Sequence, residues 1–175
     1  MTAIPFPDEV RDRVTSYIQH QGKKSPSAIV DLVRTSQERY IETIGAVADD
    51  VAARKPAPEE WSVRELTRHV IDAESNVSEL VRLLAVGQHP DAKSGAGRMI
   101  EDDGRPFAQY VDVLRDVNAR MLEAIGQLTE SPNLEEKAPH PFFGMLNCKE
   151  WAAFQRIHDE DHVQHAQKIL TAVTP

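Results

Sequence analysis

The sequence predicts an all-α protein in which four long helices form a bundle behind a short N-terminal helix. Eleven prolines divide the 175-residue chain and leave four long windows without proline, 27–55, 59–89, 107–131 and 142–174. Proline is tolerated in the first turn of a helix but not in its interior, so each window can hold one helix. A helix of about 25 residues is ~37 Å long, and four of matching length are typical of an antiparallel four-helix bundle.

The spacing of apolar residues supports helices rather than strands. Apolar residues recur at steps of three and four along the second and third windows, as on the buried face of a helix. In the second window they are Val63, Leu66, Val70, Ala73, Val77, Leu80 and Leu84, and in the third they are Phe107, Tyr110, Leu114, Val117, Met121, Ala124 and Leu128.

A shorter helix is predicted ahead of the bundle, over residues 8–21. Val10, Val14, Tyr17 and Ile18 have helical spacing, and Gly22 follows as a stop signal. We therefore expect residues 1–25 to be an N-terminal extension with a short helix. The bundle domain is expected to span residues 26–175.

The ends of the long helices carry recognisable signals. Pro26 and Pro106 are expected at helix starts, and Pro56, Pro90 and Pro132 just after helix ends. Two further starts are predicted by capping boxes, in which a capping side chain precedes a glutamate by three residues. These pairs are Ser62 with Glu65 and Asn147 with Glu150.

Composition narrows the classes of function. Lys and Arg total 20 against 28 Asp and Glu, a net charge of −8, so a nucleic-acid backbone or an anionic membrane is disfavoured as a partner. No apolar stretch approaches the ~18 residues of a membrane span, and we expect a cytoplasmic protein. Cys148 is the one cysteine, which excludes a disulfide and a cysteine-based zinc site. Any metal must then bind His, Asp or Glu.

Histidines on two predicted helices form a candidate metal site. His158 and His162 are four residues apart on the stripe that Trp151 and Phe154 mark as inward, so both imidazoles can reach one ion. An unpaired imidazole at such a position would cost about 1–3 kcal/mol. His69 lies beside the apolar face of the second long helix and can supply a third ligand. Three imidazoles would leave an open coordination position, as in catalytic sites.

Other polar residues near this stripe remain open to several interpretations. Asp72 can be the partner of His69 in a plain core contact, or the acceptor that orients it as a metal ligand. His165 can be a fourth ligand, a proton relay or a core histidine bonded to a main-chain carbonyl, and we favour the last. His20, His89 and His140 are expected to be solvated.

Several motifs together resemble a known family. They are the run from Glu60 to Leu66 that leads to His69, then His140-Pro141, then Glu150-Trp151, and finally His158-Asp159 followed by His162. Over residues 26 to 172 the chain resembles the DinB/YfiT-like superfamily of metal-dependent enzymes. The resemblance implies an up-down-down-up four-helix bundle that binds one divalent metal through His69, His158 and His162. It also implies a homodimer.

The leading functional hypothesis is a thiol-dependent S-transferase that acts on a small molecule. An ion, zinc first and nickel, manganese or iron as alternatives, would activate a low-molecular-weight thiol. The long connection 87–105 and the 133–146 loop would form the mouth of the site, with His165 or Asp72 as catalytic residues. The alternatives are a metal-dependent hydrolase of amides or esters and a non-enzymatic, metal-stabilised binding module.

Overall fold

The computed structural model describes residues 7–88, 98–129 and 131–174, and helices dominate them. The helices are α1 (Asp8–Gln21), α2 (Pro26–Ile44), α3 (Asp49–Ala53), α4 (Val63–Ala85), α5 (Phe107–Gly126) and α6 (Cys148–Val173). One hairpin joins β1 (Ala138–His140) to β2 (Gly144–Leu146). The four long helices α2, α4, α5 and α6 confirm the predicted bundle, and α1 confirms the predicted short helix ahead of it.

The helices α2 and α6 are neighbours that run in the same direction. The Ser36 hydroxyl donates to Asp159 at 2.9 Å, and one turn further along α2 the Arg39 guanidinium donates to Glu160 at 2.6 Å. Because contacts advance in the same sense on both helices, the first and last helices of the bundle are parallel.

The two central helices, α4 and α5, are also parallel neighbours. Near their starts the Arg64 side chain donates to the Arg105 carbonyl at 3.0 Å. Just beyond their ends the Asn133 N–H donates to the Ala85 carbonyl at 3.0 Å. The connection between them therefore returns the chain to the end of the bundle where α4 began, which gives the up-down-down-up arrangement. Of that connection residues 89–97, with His89 and Pro90, lie outside the described residues.

The predicted helix starts agree with the structure. Both capping boxes are formed: Ser62 accepts from the Glu65 N–H at 3.2 Å, and Asn147 accepts from the Glu150 N–H at 3.0 Å. In each case the glutamate carboxylate accepts from the N–H of the capping residue in return. The starts of α4 and α6 are thus fixed by local chemistry.

The first long window does not hold one continuous helix, contrary to its predicted extent. The helix α2 ends at Ile44, Gly45 caps it by donating to the Ile41 carbonyl, and the short helix α3 follows. Asp49 at the start of α3 accepts from the N–H of Phe107 at 2.5 Å and from the Arg64 guanidinium at 2.8 Å. This tertiary contact places α3 across the starts of α4 and α5.

The hairpin is a second difference from the expected loop. Ala138 pairs with Leu146 and His140 with Gly144 in antiparallel register, and the turn ends at Gly144 with a φ of +77°. Ala138 and Leu146 are buried, so the hairpin adds to the core. Its three-residue strands are too short to show a pattern in sequence.

A polar layer divides the bundle core into two apolar clusters. All four long helices contribute to it, and each of its side chains is less than a tenth exposed. Its members are Ser36, Gln37, Glu74, Asn118, Gln155 and Asp159. Among the described helices, none combines the length and the apolarity needed to cross a bilayer.

Candidate metal centre

Three histidines from two helices converge on one face of the bundle. His69 on α4 and His158 and His162 on α6 each offer a ring nitrogen, and these nitrogens lie within 4.8 Å of one another. The two helices run antiparallel here, since Trp61 near the start of α4 lies against His165 far along α6. The structure thus brings together the three side chains that the sequence singles out as ligands.

The ring of His69 is held in one tautomer by the main chain. Its Nδ1 is 2.5 Å from the carbonyl oxygen of Arg98, in the described part of the long connection. A carbonyl oxygen can only accept, so Nδ1 carries the proton and donates it. Nε2 is left with a free lone pair, the form in which an imidazole binds a metal ion.

The position of that carbonyl depends on Arg68. The Arg68 Nε donates to the Ile100 carbonyl at 2.9 Å, and the Ile100 N–H donates to the Arg68 carbonyl at 3.3 Å. Arg68 also pairs with Asp102 at 3.4 Å. These contacts fasten the 98–105 segment along α4 and hold the Arg98 carbonyl over His69.

His158 and His162 fit a shared ion. Their Nε2 atoms are 3.1 Å apart. This separation is close to the ~3.4 Å between two nitrogens that are each bound ~2.1 Å from a tetrahedral zinc. Their Nδ1 atoms are buried without a hydrogen bond to the described residues, 3.9 Å and 3.8 Å from the carboxylates of Asp159 and Asp161. The two Nε2 atoms are within hydrogen-bond distance, with a direction that depends on the tautomers, and a cation between the rings would instead accept a lone pair from both.

The protonation state also suits metal binding. Burial lowers the pKa of His162 well below its usual range, and neighbouring His158 and His69 lower it further. Burial lowers the pKa of His69 in the same way, outweighing its bond to the Arg98 carbonyl. Both imidazoles are therefore neutral near pH 7, as a metal ligand must be.

His165 and Asp72 lie beside the cluster without joining it. The His165 ring stacks on Trp61 at 6.2 Å and lies 6.3 Å from the His162 ring. Within the described chain its nitrogens make no hydrogen bond, so the favoured interpretation of a carbonyl-bonded core histidine is wrong. Asp72 accepts from Asn76 at 3.0 Å, and the acceptor that orients His69 is the Arg98 carbonyl instead.

Trp61 belongs to the wall of the site. Its ring centroid is 5.1 Å from that of His69. Trp61 directly precedes the helix cap Ser62, a position from which a residue commonly packs on the first turn. The same position places the indole against two histidines.

His140 is the site residue that the sequence analysis missed. We expected it to be solvated, but its ring packs 4.7 Å from Phe143, 5.1 Å from Trp151 and 4.4 Å from Phe154. Phe154 in turn lies 5.9 Å from His158. Burial lowers the pKa of His140 to about 4, with His158 contributing. The available signal was its place in the motifs quoted above.

Cys148 offers no competing chemistry. It is fully buried at the start of α6, and its Sγ lies 3.5 Å from the Asn133 carbonyl oxygen. Burial raises the pKa of the thiol, so the thiolate is disfavoured despite the helix N-terminus.

Comparison with known proteins now decides the family. Residues 32–166 match the sequence profile of the DinB superfamily. The chain belongs to that superfamily. A relative from Oceanobacillus iheyensis, named "Putative metal-dependent hydrolase", is 22% identical over 168 residues, covering 93% of this chain and 91% of the relative.

Two solved structures share the fold of this DinB-superfamily chain. Bacillus subtilis YfiT, described as a probable metal-dependent hydrolase with an unusual four-helix bundle topology, has a TM-score of 0.62 at 13% identity. It matches 97% of this chain and 89% of its own. TT2238, a four-helix bundle protein, has a TM-score of 0.60 at 16% identity and matches 82% of this chain and 99% of its own.

Proposed function

We propose that this protein is a metal-dependent enzyme whose His69, His158 and His162 hold one divalent ion. The observation that carries the proposal is the convergence of three imidazoles, one of them fixed in the ligand tautomer by a main-chain carbonyl. Zinc is the first candidate, and nickel, manganese and iron also accept imidazole ligands. The bundle domain, 26–175, would carry the whole site, with residues 1–25 as an extension.

The finer proposal is a thiol-dependent S-transferase. A divalent ion with three neutral ligands keeps its full charge, so it would lower the pKa of a thiol beside it, and zinc suits soft sulfur ligands. The reaction would join the thiol sulfur to an electrophilic carbon of a small molecule while a base takes the thiol proton. In a displacement, a leaving group such as chloride departs with its electron pair; in an addition, the C=C π bond breaks and the neighbouring carbon takes up a proton. His165, with a pKa lowered by burial, and Asp72 are the proposed bases.

The chain supplies a mouth for such a site. The 98–105 segment lies over His69 through the Arg98 carbonyl, and the 133–146 loop contributes His140 and its neighbouring rings. We propose that substrate enters between these two segments. The aromatic rings there, Trp61 and Phe154, would exclude water from a bound thiol and its electrophile.

Hydrolysis of an amide or ester is the second candidate. The names of the Oceanobacillus relative and of YfiT favour it. The same three histidines would serve, with water in place of the thiol as the nucleophile. His165 or Asp72 would then take a proton from that water.

Metal content and turnover, measured together, test these proposals. Zinc-loaded protein is assayed with monochlorobimane and a panel of thiols, and in parallel with a panel of esters. We expect thiol conjugation that is lost together with zinc in His158→Ala and His162→Ala. His165→Ala should keep the zinc and change the rate or its pH dependence.

The possible outcomes separate the hypotheses. Normal conjugation by metal-free protein, or full zinc content in His158→Ala by elemental analysis, would overturn the proposed centre. Zinc-dependent ester hydrolysis without a thiol would move the assignment to the hydrolase. Zinc binding without either activity would favour the non-enzymatic binding module.

We further propose that the protein forms a homodimer, which the family resemblance supports. Light scattering at micromolar concentration should then report twice the chain mass. A mass equal to one chain across that range would overturn this proposal.

A further inference from the structure

His140 is held in a single tautomer by the turn of the hairpin. Its Nδ1 accepts from two main-chain N–H groups, of Phe142 at 3.2 Å and of Phe143 at 3.3 Å. A nitrogen that accepts has no proton of its own, so the neutral ring carries its proton on Nε2. Two donors at Nδ1 also oppose the doubly protonated ring, because the added proton would meet both of them.

The donor side of this ring has no partner among the residues that the structure describes. Nε2 of His140 makes no hydrogen bond to the described residues, and it is not among the buried nitrogens that are sealed from solvent. A fixed N–H group that stays open to solvent is available to a ligand. The turn uses Nδ1 as an acceptor, and the N–H group at Nε2 remains available to donate.

The ring lies beside the three-histidine cluster. His140 packs on Phe154 at 4.4 Å, and Phe154 lies 5.9 Å from the ligand His158, one turn along α6. Phe143 and Trp151 also lie against the imidazole, with ring centroids at 4.7 Å and 5.1 Å. In such apolar surroundings a hydrogen bond from Nε2 is stronger than in water.

We propose that His140 is a catalytic hydrogen-bond donor that offers Nε2–H to a carbonyl oxygen of the substrate. This inference rests on the proposed function and names its substrate class: an electrophile whose reacting carbon is conjugated with a carbonyl. The thiol sulfur bonds to the β-carbon, and the electron pair of the C=C bond moves so that negative charge develops on the carbonyl oxygen. The α-carbon then takes up the proton that the thiol lost.

The donor acts on that developing charge. A neutral, preoriented N–H group stabilises the enolate oxygen more than the initial carbonyl, and loss of such a donor costs about 10²–10³ in rate. A substrate that reacts by displacement of chloride and carries no oxygen would gain nothing from it. The structure therefore predicts selectivity between two kinds of electrophile.

Two substitutions distinguish the role of His140 as a donor from its role in holding the hairpin turn. His140→Asn keeps an acceptor near the position of Nδ1 for the two N–H groups and removes the donor. His140→Gln places an amide N–H near the position of Nε2 and removes the acceptor. Both variants should retain zinc, since neither touches His69, His158 or His162.

The kinetic experiment compares 2-cyclohexen-1-one with benzyl chloride as electrophiles for the zinc-loaded protein. We expect His140→Asn to lose about 10²–10³ in kcat with cyclohexenone and less than threefold with benzyl chloride. His140→Gln should recover part of the cyclohexenone rate. Equal losses with both electrophiles, or an unchanged cyclohexenone rate in His140→Asn, would overturn the inference.

A measurement without turnover separates this inference from the proposed function. In ¹⁵N NMR of the zinc-loaded protein, His140 should show the Nε2–H tautomer, and its Nε2 resonance should move when the unreactive ketone cyclohexanone is titrated in. An Nδ1–H tautomer, or no shift at saturating cyclohexanone, would overturn the role of His140. If neither electrophile is turned over by the wild-type protein, the proposed function fails, and the NMR result still decides the donor.

Discussion

The hydrogen bond between His69 and the Arg98 carbonyl would prepare this side chain for the proposed metal ion. It fixes both the tautomer and the plane of the imidazole before any ligand arrives. The carbonyl can do this only while the 98–105 segment stays against α4. Arg68 holds the part of this segment nearest Arg98, through the Ile100 carbonyl and Asp102, and Arg64 holds its far end through the Arg105 carbonyl.

We therefore predict that Arg68→Ala weakens metal binding although Arg68 is not a ligand. Removal of the guanidinium frees the Ile100 carbonyl and Asp102 and leaves the main-chain bond from the Ile100 N–H to the carbonyl of residue 68, so the Arg98 carbonyl holds His69 less firmly. Loss of such an orienting partner typically costs 10–100-fold in metal affinity. Competition for zinc against a chromophoric chelator measures the change.

The matched control for this prediction is Arg82→Ala. Arg82 lies on the same helix but is exposed and pairs only locally with Glu79. The zinc affinity of the Arg82→Ala variant should equal that of the unchanged protein. An Arg68→Ala variant that stays folded by circular dichroism and binds zinc within twofold of the unchanged protein would contradict the prediction.

At the scale of elements, the two helices that carry the proposed ligands start in the same way. Each begins with a capping box, and the distance in sequence from cap to ligand is close to a whole number of turns. His69 is seven residues after Ser62, about two turns, and His158 is eleven after Asn147, about three turns. The caps therefore set the face on which the ligands lie.

Glu65, the glutamate of the first capping box, gives a pH-dependent prediction. Burial raises its pKa, but bonds from Lys55 at 2.8 Å and from the Ser62 N–H at 2.9 Å outweigh burial, so the net pKa is lowered. A lowered folded-state pKa contributes stability above the unfolded value of ~4.3, which is lost as pH falls through the folded value. Glu65→Gln should cost about 1 kcal/mol at pH 7 and less at pH 3.

Urea denaturation at the two pH values checks this prediction. The matched control is Glu79→Gln on the exposed face of α4, which should change the free energy of unfolding by less than about 0.5 kcal/mol. A loss for Glu65→Gln that is the same at pH 3 and pH 7 would show that the carboxylate charge contributes nothing to the cap.

Structural features that depend on neighbouring residues could be predicted from the sequence, and features that depend on tertiary contacts could not. The caps at Ser62 and Asn147 and the apolar spacing of α4 act within a few residues, so the helices were found at the correct places. The end of α2 at Ile44 and the short helix α3 depend on Asp49 bonding to the N–H of Phe107, 58 residues away. No residue near Asp49 in the sequence predicts that contact.

The same distinction between local and tertiary features applies to the candidate site. The i, i+4 spacing on α6 identified His158 and His162, and His69 followed from helix periodicity. The Arg98 carbonyl and the Nε2–H of His140 depend on how the chain returns over the bundle, which residue identity does not encode. A carbonyl oxygen is present at every position, so sequence cannot say which one meets His69.

At the scale of the whole molecule, the polar layer crosses the core at the level of the ligands. Asp159 directly follows the ligand His158 and accepts from Ser36 at 2.9 Å and from Gln155 at 2.7 Å. Glu74 on α4 accepts from Gln37, and the Asn118 amide donates to it at 2.7 Å in its satisfied orientation. The layer thus ties all four long helices together beside the site.

Glu74 gives a second prediction about pH. Burial, and next the charge of Asp159, raise its pKa well above the usual range. A raised folded-state pKa means that its favourable contribution is complete below the unfolded value of ~4.3 and is lost as pH rises toward the folded value. Glu74→Gln, which is neutral at every pH, should therefore gain stability relative to the unchanged protein between pH 4.5 and pH 8.

Thermal unfolding of both proteins across this range measures the effect. Because Gln matches Glu in shape, the packing is the same in both proteins. A difference in stability that changes with pH then reports on the titration of Glu74. Glu79→Gln, on the solvent face of α4, should show no such trend. A stability difference that stays constant from pH 4.5 to pH 8 would mean that Glu74 does not hold its proton.

The proposed ion would join α4 to α6, helices that are separated in the chain by α5 and the hairpin, and this gives the last prediction. An ion that binds the folded state and not the unfolded chain stabilises by about 2.7 kcal/mol at 100 times its Kd. For a domain of this size that corresponds to a rise in Tm of roughly 5–10 °C. His69→Ala on α4 and His162→Ala on α6 should each abolish the rise. The first change leaves α4 without a ligand, and the second leaves only two of the three ligands, one on each helix. His20→Ala, an exposed histidine of α1, should preserve it. Scanning calorimetry with and without zinc measures all four proteins, and an equal rise in the two ligand variants would show that zinc stabilises the fold from another place.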